Sequence, residues 1–360
     1  MEMKHRITGF DLARAYAIFG MFIVNFTFCF GSFKEKSLVG GLSALFVGNS
    51  TAVFIILAGM GVSLMTNRIS YEPSEQIKLR FTILRRSWFL FALGLLLYPW
   101  WPGDILHFYG GYMHIAAFVL FIPKKYYLWI AFLAILIFHI LLQLIPVTTN
   151  WNFQTYRYAD FWTPIGFLRN TFYNGWNSVF PWLAYFVIGM FLGRLNWQNK
   201  STKKTAFIIG LLFFGVVEGI RYLAKQNIFD SYWASYIMAE YFPAYPPFIM
   251  VTVGFALMAI SACMFISDLF PTSKVITALV QTGRMTLTWY VAHLTIGMIV
   301  LSKLSGNAYT GYLTQQAPVS SIYVISFVVV FYMIAVAISV LWLRKFSYGP
   351  LESIMRLVSR

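Results

Sequence analysis

Ten apolar runs, each close to the length of a bilayer-crossing helix, constrain this chain more than any other feature. They cover residues 12–30, 44–65, 86–101, 105–122, 126–145, 179–195, 205–223, 247–266, 286–304 and 322–343. A spanning helix needs about 20 mostly apolar residues, because each residue rises about 1.5 Å through a hydrocarbon layer about 30 Å thick. Composition agrees: 59% of the 360 residues are apolar and 11% are charged, and no soluble core absorbs that much apolar surface. The expected fold is all-α, a polytopic membrane protein whose residues 1–360 form a single ten-helix transmembrane domain.

A formal charge of +15 would point to nucleic acid in a soluble protein. Here the Lys and Arg residues sit in short polar breaks between apolar runs, so the basicity reads as orientation and no nucleic-acid partner is expected. With the N-terminus inside, the cytoplasmic stretches hold 19 cations and the external stretches 7; Arg14, within the first run, completes the 27. One missed or false span would scramble that alternation. The expected topology is a multi-pass protein of the cell membrane with both termini in the cytoplasm. Lys4 and Arg6 before the first run look like a signal peptide, but no small-x-small cleavage site follows, so the run reads as a retained helix. Cys29 and Cys263 fall near opposite membrane faces, too far apart for a disulfide.

Ionisable groups at membrane depth are costly and usually face the bundle interior or an aqueous cavity, which makes them the first functional candidates. In the fourth run Asp104, His107 and His114 fall within an arc of roughly 80° at 100° per residue, a single polar stripe. An imidazole beside a carboxylate is how a general base is oriented, and the set suits proton abstraction from an acceptor hydroxyl or amine. The competing reading makes Asp104, which follows Pro102 and Gly103, an ordinary helix cap. His139, without a charged neighbour at helical spacing, reads as a packing residue. Glu218 and Arg221, three apart in the seventh run, suit an intrahelical ion pair or a substrate contact, and Asp11 and Arg14 repeat the spacing at the start of the first. That second pair either anchors its helix or orients an incoming phosphate. Asn25 lies in the outer half of the first run and His293 at mid-depth in the ninth, and either could reach a shared cavity.

Two external loops, 147–178 and 224–246, are long and aromatic. Trp151, Tyr156, Trp162, Tyr173 and Trp176 could stack on a sugar or lipid headgroup at the outer surface, or form an interfacial belt. The polar, basic stretch 67–85 reads as a cytoplasmic helix on anionic lipid or as a site for a phosphate-bearing cofactor, with Arg85 and Arg86 as candidates in the second case. Phosphate-cradling Gly loops, nucleophile elbows and metal-ligand spacings are all missing, and no metal is expected.

The segments RITGFDLARAYAIFGMFIVNF and FIILAGMGVSLM, with GDILHFYGGYMHIAAFVLF and FPWLAYFVIGMFLGRL, resemble the heparan-alpha-glucosaminide N-acetyltransferase-like membrane proteins. GRMTLTWYVAHLTIGMIVL and FSYGPLESIMRLV resemble the YeiB-like proteins (domain of unknown function 418), which places an acyltransferase-like part at about 1–200 and a YeiB-like part at about 205–360. Both belong to a transmembrane acyltransferase superfamily. The resemblance implies that an acyl group passes from cytoplasmic acyl-CoA, such as acetyl-CoA, to an extracytoplasmic glycan or lipid-linked acceptor. It matches Asn25 to the Asn of the active-site "VN" motif and His107 to the His of the bacterial "ILH" motif. The family's catalytic His after that Asn has no counterpart in FTFCFGSFKEKSL, where Lys34 and Lys36 stand. On the acyltransferase reading His107 or His114 is the base, Asp104 orients it, Asn25, His293, Glu218 and Arg221 contact substrate, and Asp11, Arg14, Arg85 and Arg86 contact acyl-CoA. The bilayer is the principal partner, and a homodimer is compatible with the pattern. The competing classes are a transporter of a small or lipid-linked solute, which would be expected to show broken-helix repeats that are not visible here, and a non-catalytic membrane subunit.

Overall fold

The computed structural model describes residues 7–67, 70–309, 311 and 317–359. Lys4, Arg6, Arg68 and Arg360, four of the orienting cations, lie outside the described residues. The helices follow in the order α1 (Thr8–Phe30), α2 (Leu38–Ala44), α3 (Asn49–Met65), α4 (Pro73–Leu97), α5 (Leu106–Val119) and α6 (Lys125–Leu144). A short hairpin, β1 (Trp151–Asn152) with β2 (Arg157–Tyr158), then leads into α7 (Pro164–Arg169) and a π-helical turn (Asn170–Asn174). After these come α8 (Val179–Gly193), α9 (Lys200–Lys225), α10 (Ser231–Met238), α11 (Pro246–Leu269), α12 (Lys274–Gly283) and α13 (Thr286–Ala292). A second π-helical turn (His293–Gly297) joins α13 to α14 (Met298–Ser305), and α15 (Ser321–Trp342) and α16 (Pro350–Val358) finish the chain.

Among the described residues, seven segments are long and apolar enough to cross a membrane: α1, α2 with α3, α6, α9, α11, α13 through α14, and α15. An eighth forms if α7 and its π turn are joined to α8 across a 49° bend. The remaining two apolar runs are α4 and α5, which pack side by side. The first 14 residues of α4 carry Lys78, Arg80, Arg85 and Arg86. α5 has 14 residues, about 21 Å at 1.5 Å each and short of a full hydrocarbon layer.

Burial sorts the long helices into centre and rim. In the most apolar stretch of each, 61% of α1, 67% of α2 with α3 and 56% of α11 is buried, against 22% of α6, 17% of α9 and 22% of α15. The rim exposes Trp129 and Phe132 on α6, Leu212 on α9 and Met333 on α15, continuous apolar surface that a protein in water does not sustain. Helices in lipid cohere by close packing rather than by the hydrophobic effect, so small residues mark their contacts. At the α3–α8 crossing a Cβ on Gly59 would lie 2.0 Å from the Phe186 carbonyl oxygen, and one on Gly189 2.1 Å from that of Ile56. Any side chain there would push the two backbones apart.

Two polar knots hold the irregular parts. Asn174 donates from Nδ2 to the carbonyls of Val147 and Thr149, and its Oδ1 accepts from the Tyr158 hydroxyl, which folds the 147–178 loop over the bundle. Glu352 on α16 accepts at Oε1 from the backbone N–H groups of Leu287 and Thr288 and at Oε2 from the Thr288 hydroxyl, so α16 caps the start of α13. Cys29 and Cys263 are unbonded.

Candidate functional site

Where α1 ends, the 98–105 turn, the 147–178 loop and the chain before α11 converge on a cavity of about 200 Å³, lined by Asn25, Phe28, Trp101, Tyr156, Trp176 and Tyr241. Seven of its sixteen lining residues are aromatic. The loop aromatics Tyr156 and Trp176 stack with ring centroids 5.8 Å apart, and Asn177 holds the Tyr241 hydroxyl through Nδ2 at 2.7 Å.

Asn25 supplies a polar group to this wall, and behind it stands His293. Asn25 Nδ2 lies 2.9 Å from His293 Nε2. The other ring nitrogen, Nδ1, lies 3.2 Å from the Trp289 carbonyl; a carbonyl only accepts, so Nδ1 carries the proton and Nε2 presents its lone pair to the Asn25 amide. His293 is fully buried, packed against Phe22 at 4.9 Å and Phe26 at 5.9 Å. Those two share one face of α1 with Asn25, as spacings of three and four dictate. His293 also opens the π-helical turn, a distortion frequent at functional positions.

One turn earlier, Tyr290 joins this pair to the fourth run. Its hydroxyl donates to Asp104 Oδ1 at 3.3 Å and accepts the Ile105 N–H at 3.2 Å, and its ring lies 5.3 Å from that of His293. Asp104 Oδ2 accepts from His107 N at 3.0 Å and lies 3.1 Å from His107 Nδ1. Asp104 therefore accepts a backbone N–H in the first turn of α5 and bonds the His107 ring with the same oxygen. Tyr290 is the member the sequence reading passed over; its signal was the three-residue spacing to His293 on one helix.

Asp104, His107 and His114 share one face, and that face packs on α4 rather than on the cavity. Gly94 of α4 leaves room for Asp104 and His107, since a Cβ there would lie 2.4 Å from Asp104 Oδ2. Both residues are fully buried, with Tyr98, Phe108 and Phe161 around the His107 ring. His114, two turns on, bonds through Nδ1 to the Ser87 hydroxyl and to the Gly110 carbonyl, and its ring lies 4.7 Å from that of Trp88, an exposed residue on the rim. Periodicity gives a common face, but small residues on α4 decide what that face meets.

The remaining candidates lie away from the cavity. Arg221 pairs with Glu218 at 2.9 Å and donates to the carbonyls of Ile237 and Ala239, tying α9 to the end of α10. Asp11 and Arg14 pair at 2.7 Å, with Arg14 about 16 Å down α1 from Asn25 by helix rise. Arg85 is exposed on α4, and Arg86 donates to Ser359 and Met65. His139 bonds the Tyr236 hydroxyl at 3.0 Å, a packing role.

The model of a family described as protein of unknown function (DUF418) matches residues 191–360. No curated protein and no solved structure matches the chain. A second family model, heparan-alpha-glucosaminide N-acetyltransferase, catalytic, matches residues 6–227, a stretch that contains Asn25, the Asp104–His107 pair and the loop over the cavity. Because that match takes in well over half of its length, this membrane protein belongs to the heparan-alpha-glucosaminide N-acetyltransferase catalytic family.

Proposed function

We propose that this protein is a transmembrane acyltransferase that moves an acyl group, acetyl in the first instance, from cytoplasmic acyl-CoA to a hydroxyl or amine of a glycan or lipid-linked sugar in the aromatic cavity. The chain crosses the cell membrane ten times with both termini in the cytoplasm, so the cavity opens outward and the basic end faces the donor. The observation that carries this reading is the Asn25–His293 hydrogen bond at the cavity wall. It puts an imidazole lone pair behind the asparagine matched to the "VN" motif, and His293 thereby supplies the base that the 26–38 loop lacks.

The chemistry follows from the tautomer. An acceptor hydroxyl that displaces the Asn25 amide from Nε2 gives its proton to that nitrogen as its oxygen bonds to the acyl carbon. The Trp289 carbonyl on Nδ1 stabilises the imidazolium that forms. The carbon–sulfur bond breaks, and the leaving thiolate takes the proton back from Nε2. The freed Asn25 amide donates to the carbonyl oxygen as charge builds on it, the ordinary work of an oxyanion donor. Aromatic walls suit the apolar faces of a sugar. Asp104 and His107, through Tyr290, act as positioning residues for the helix that carries His293.

Purified protein in lipid nanodiscs, given radiolabelled acetyl-CoA and a panel of amino sugars and lipid-linked sugars, tests this. His293→Ala is expected to lower kcat by a factor of about 100 to 10,000, the usual contribution of a general base, and Asn25→Ala by about 100. Full transfer by His293→Ala removes that residue from the mechanism.

A further inference from the structure

At the other end of the bundle from the cavity, α4 and α16 enclose an open cleft of about 600 Å³ lined by Arg86, Arg356, Thr82, Ser353 and Ser359. Arg86 Nε donates to Ser359 Oγ at 3.2 Å and its Nη1 to Met65 Sδ at 3.0 Å. Arg356 lays its guanidinium over the Tyr348 ring at 3.8 Å. All of these partners are neutral, and among the described residues neither arginine is paired with a carboxylate. Two guanidiniums turned into one partly buried cleft repel each other, a cost that an anion between them reverses. The planar fork of Arg donors matches phosphate oxygens best, and the neighbouring hydroxyls add neutral donors.

We propose that this cleft binds a phosphate group, held between Arg86 and Arg356. The ligand has two sources: the phosphates of acyl-CoA, which rests on the proposed function, and the headgroup of an anionic phospholipid, which does not. Exposed Ile354 and Leu357 on α16 would meet the acyl chains of the second. The site joins the two parts of the chain, because Arg86 lies within residues 6–227 and Arg356 within 191–360. It also reaches the cavity: Glu352, one turn before Arg356, caps α13, and α13 leads directly into His293. Phosphate seated in the cleft would hold α16 against α4 and so steady the helix that carries the base.

Full-length protein in phosphatidylcholine nanodiscs is titrated with acetyl-CoA and with S-acetylpantetheine, which keeps the thioester arm but has no phosphate. In parallel, protein purified from mixed phosphatidylcholine and phosphatidylglycerol is examined by native mass spectrometry for retained phosphatidylglycerol. Arg356→Gln, at an exposed position, is expected to weaken acetyl-CoA by about tenfold and S-acetylpantetheine by less than twofold, or to abolish retention of the anionic lipid. The first outcome assigns the nucleotide source, the second the lipid, and both together assign a shared site. Arg86→Lys, which keeps charge and loses the fork, should fall between wild type and Arg356→Gln. Unchanged acetyl-CoA affinity and lipid retention in Arg356→Gln overturns the proposal, as does wild-type protein that holds neither ligand. Every readout is binding, so failure of the transfer reading, seen as full activity in His293→Ala, leaves this result standing on its own.

Discussion

Asp104 takes hydrogen bonds from three donors, His107 N, His107 Nδ1 and the Tyr290 hydroxyl, inside packing that is closed to solvent. A buried acceptor of that kind is hard to lose, because each orphaned donor carries a desolvation cost of about 1–3 kcal/mol. Asp104→Ala is therefore expected to lower stability by about 3 kcal/mol, read as a fall in the thermal midpoint in detergent, while the protein that remains folded keeps kcat within about tenfold of wild type. A hundredfold loss at unchanged midpoint would instead make the Asp104–His107 pair the proton-handling unit and demote His293. The three-residue spacing made the pairing of Asp104 with His107 legible in the sequence, whereas the pairing of Asn25 with His293 was not. Asn25 and His293 are 268 positions apart, and only the packing of α1 against α13 sets one before the other. Glu218 and Arg221 show the reverse: a spacing of three makes the ion pair legible, whereas the α10 carbonyls that give it a structural purpose do not appear in any local pattern.

At the scale of elements, uniform apolarity made α1, α6, α11 and α15 legible, since nothing but lipid or core accepts such stretches. The 14-residue α5 and the half-polar α4 were harder, because they depend on each other. The stripe of Asp104, His107 and His114 has the right period, but its partner is set by Gly94 and Ser87 on α4. The capping of α13 by α16 was invisible for the same reason, although Glu352 controls it. Burial pushes the Glu352 carboxyl above its ordinary 4.5, and the hydrogen bonds from Thr288 and Leu287 oppose that push without cancelling it. A carboxyl with a raised folded pKa contributes stability that is fully present below about 4.5 and is lost as pH rises through the raised value. Docking of α16 is thus expected to weaken from pH 4.5 upward. Glu352→Gln, which keeps an acceptor for α13 and cannot ionise, should flatten that dependence, and Glu352→Ala should cost about 1–2 kcal/mol below about pH 4.5, as loss of a helix cap does, and less as pH rises. Limited proteolysis at the exposed Lys345 before α16 follows the docking; a wild-type profile that is flat between pH 4 and 8 would rule out ionisation of Glu352 as the cause.

For the whole molecule, the question is whether α4 and α5 cross the membrane, because the span count and the route from donor to acceptor turn on it. The two helices run the distance between the molecule's two sites. Arg86 meets α16 in the basic cleft, while Trp101, Pro102 and Gly103, at the turn after α4, line the aromatic cavity. From Arg86 to the end of α4 at Leu97 is 11 residues, about 16 Å of helix, and so short a span would need a bilayer thinned around it and snorkelling of flanking cations. Under the proposed ten-span topology, the 19-to-7 bias in Lys and Arg would put the basic cleft in the cytoplasm and the cavity outside. In a background with Cys29 and Cys263 replaced by Ala, Pro102→Cys and Gln154→Cys should react with a membrane-impermeant maleimide in intact cells. Lys78→Cys, Lys124→Cys and Lys345→Cys should react only after permeabilisation. Protection of Pro102→Cys alone would leave α4 and α5 as a hairpin that enters and leaves by one face and lower the count to eight. Reversal of the whole pattern would turn the molecule over, set the cavity in the cytoplasm, and end the case for transfer across the bilayer.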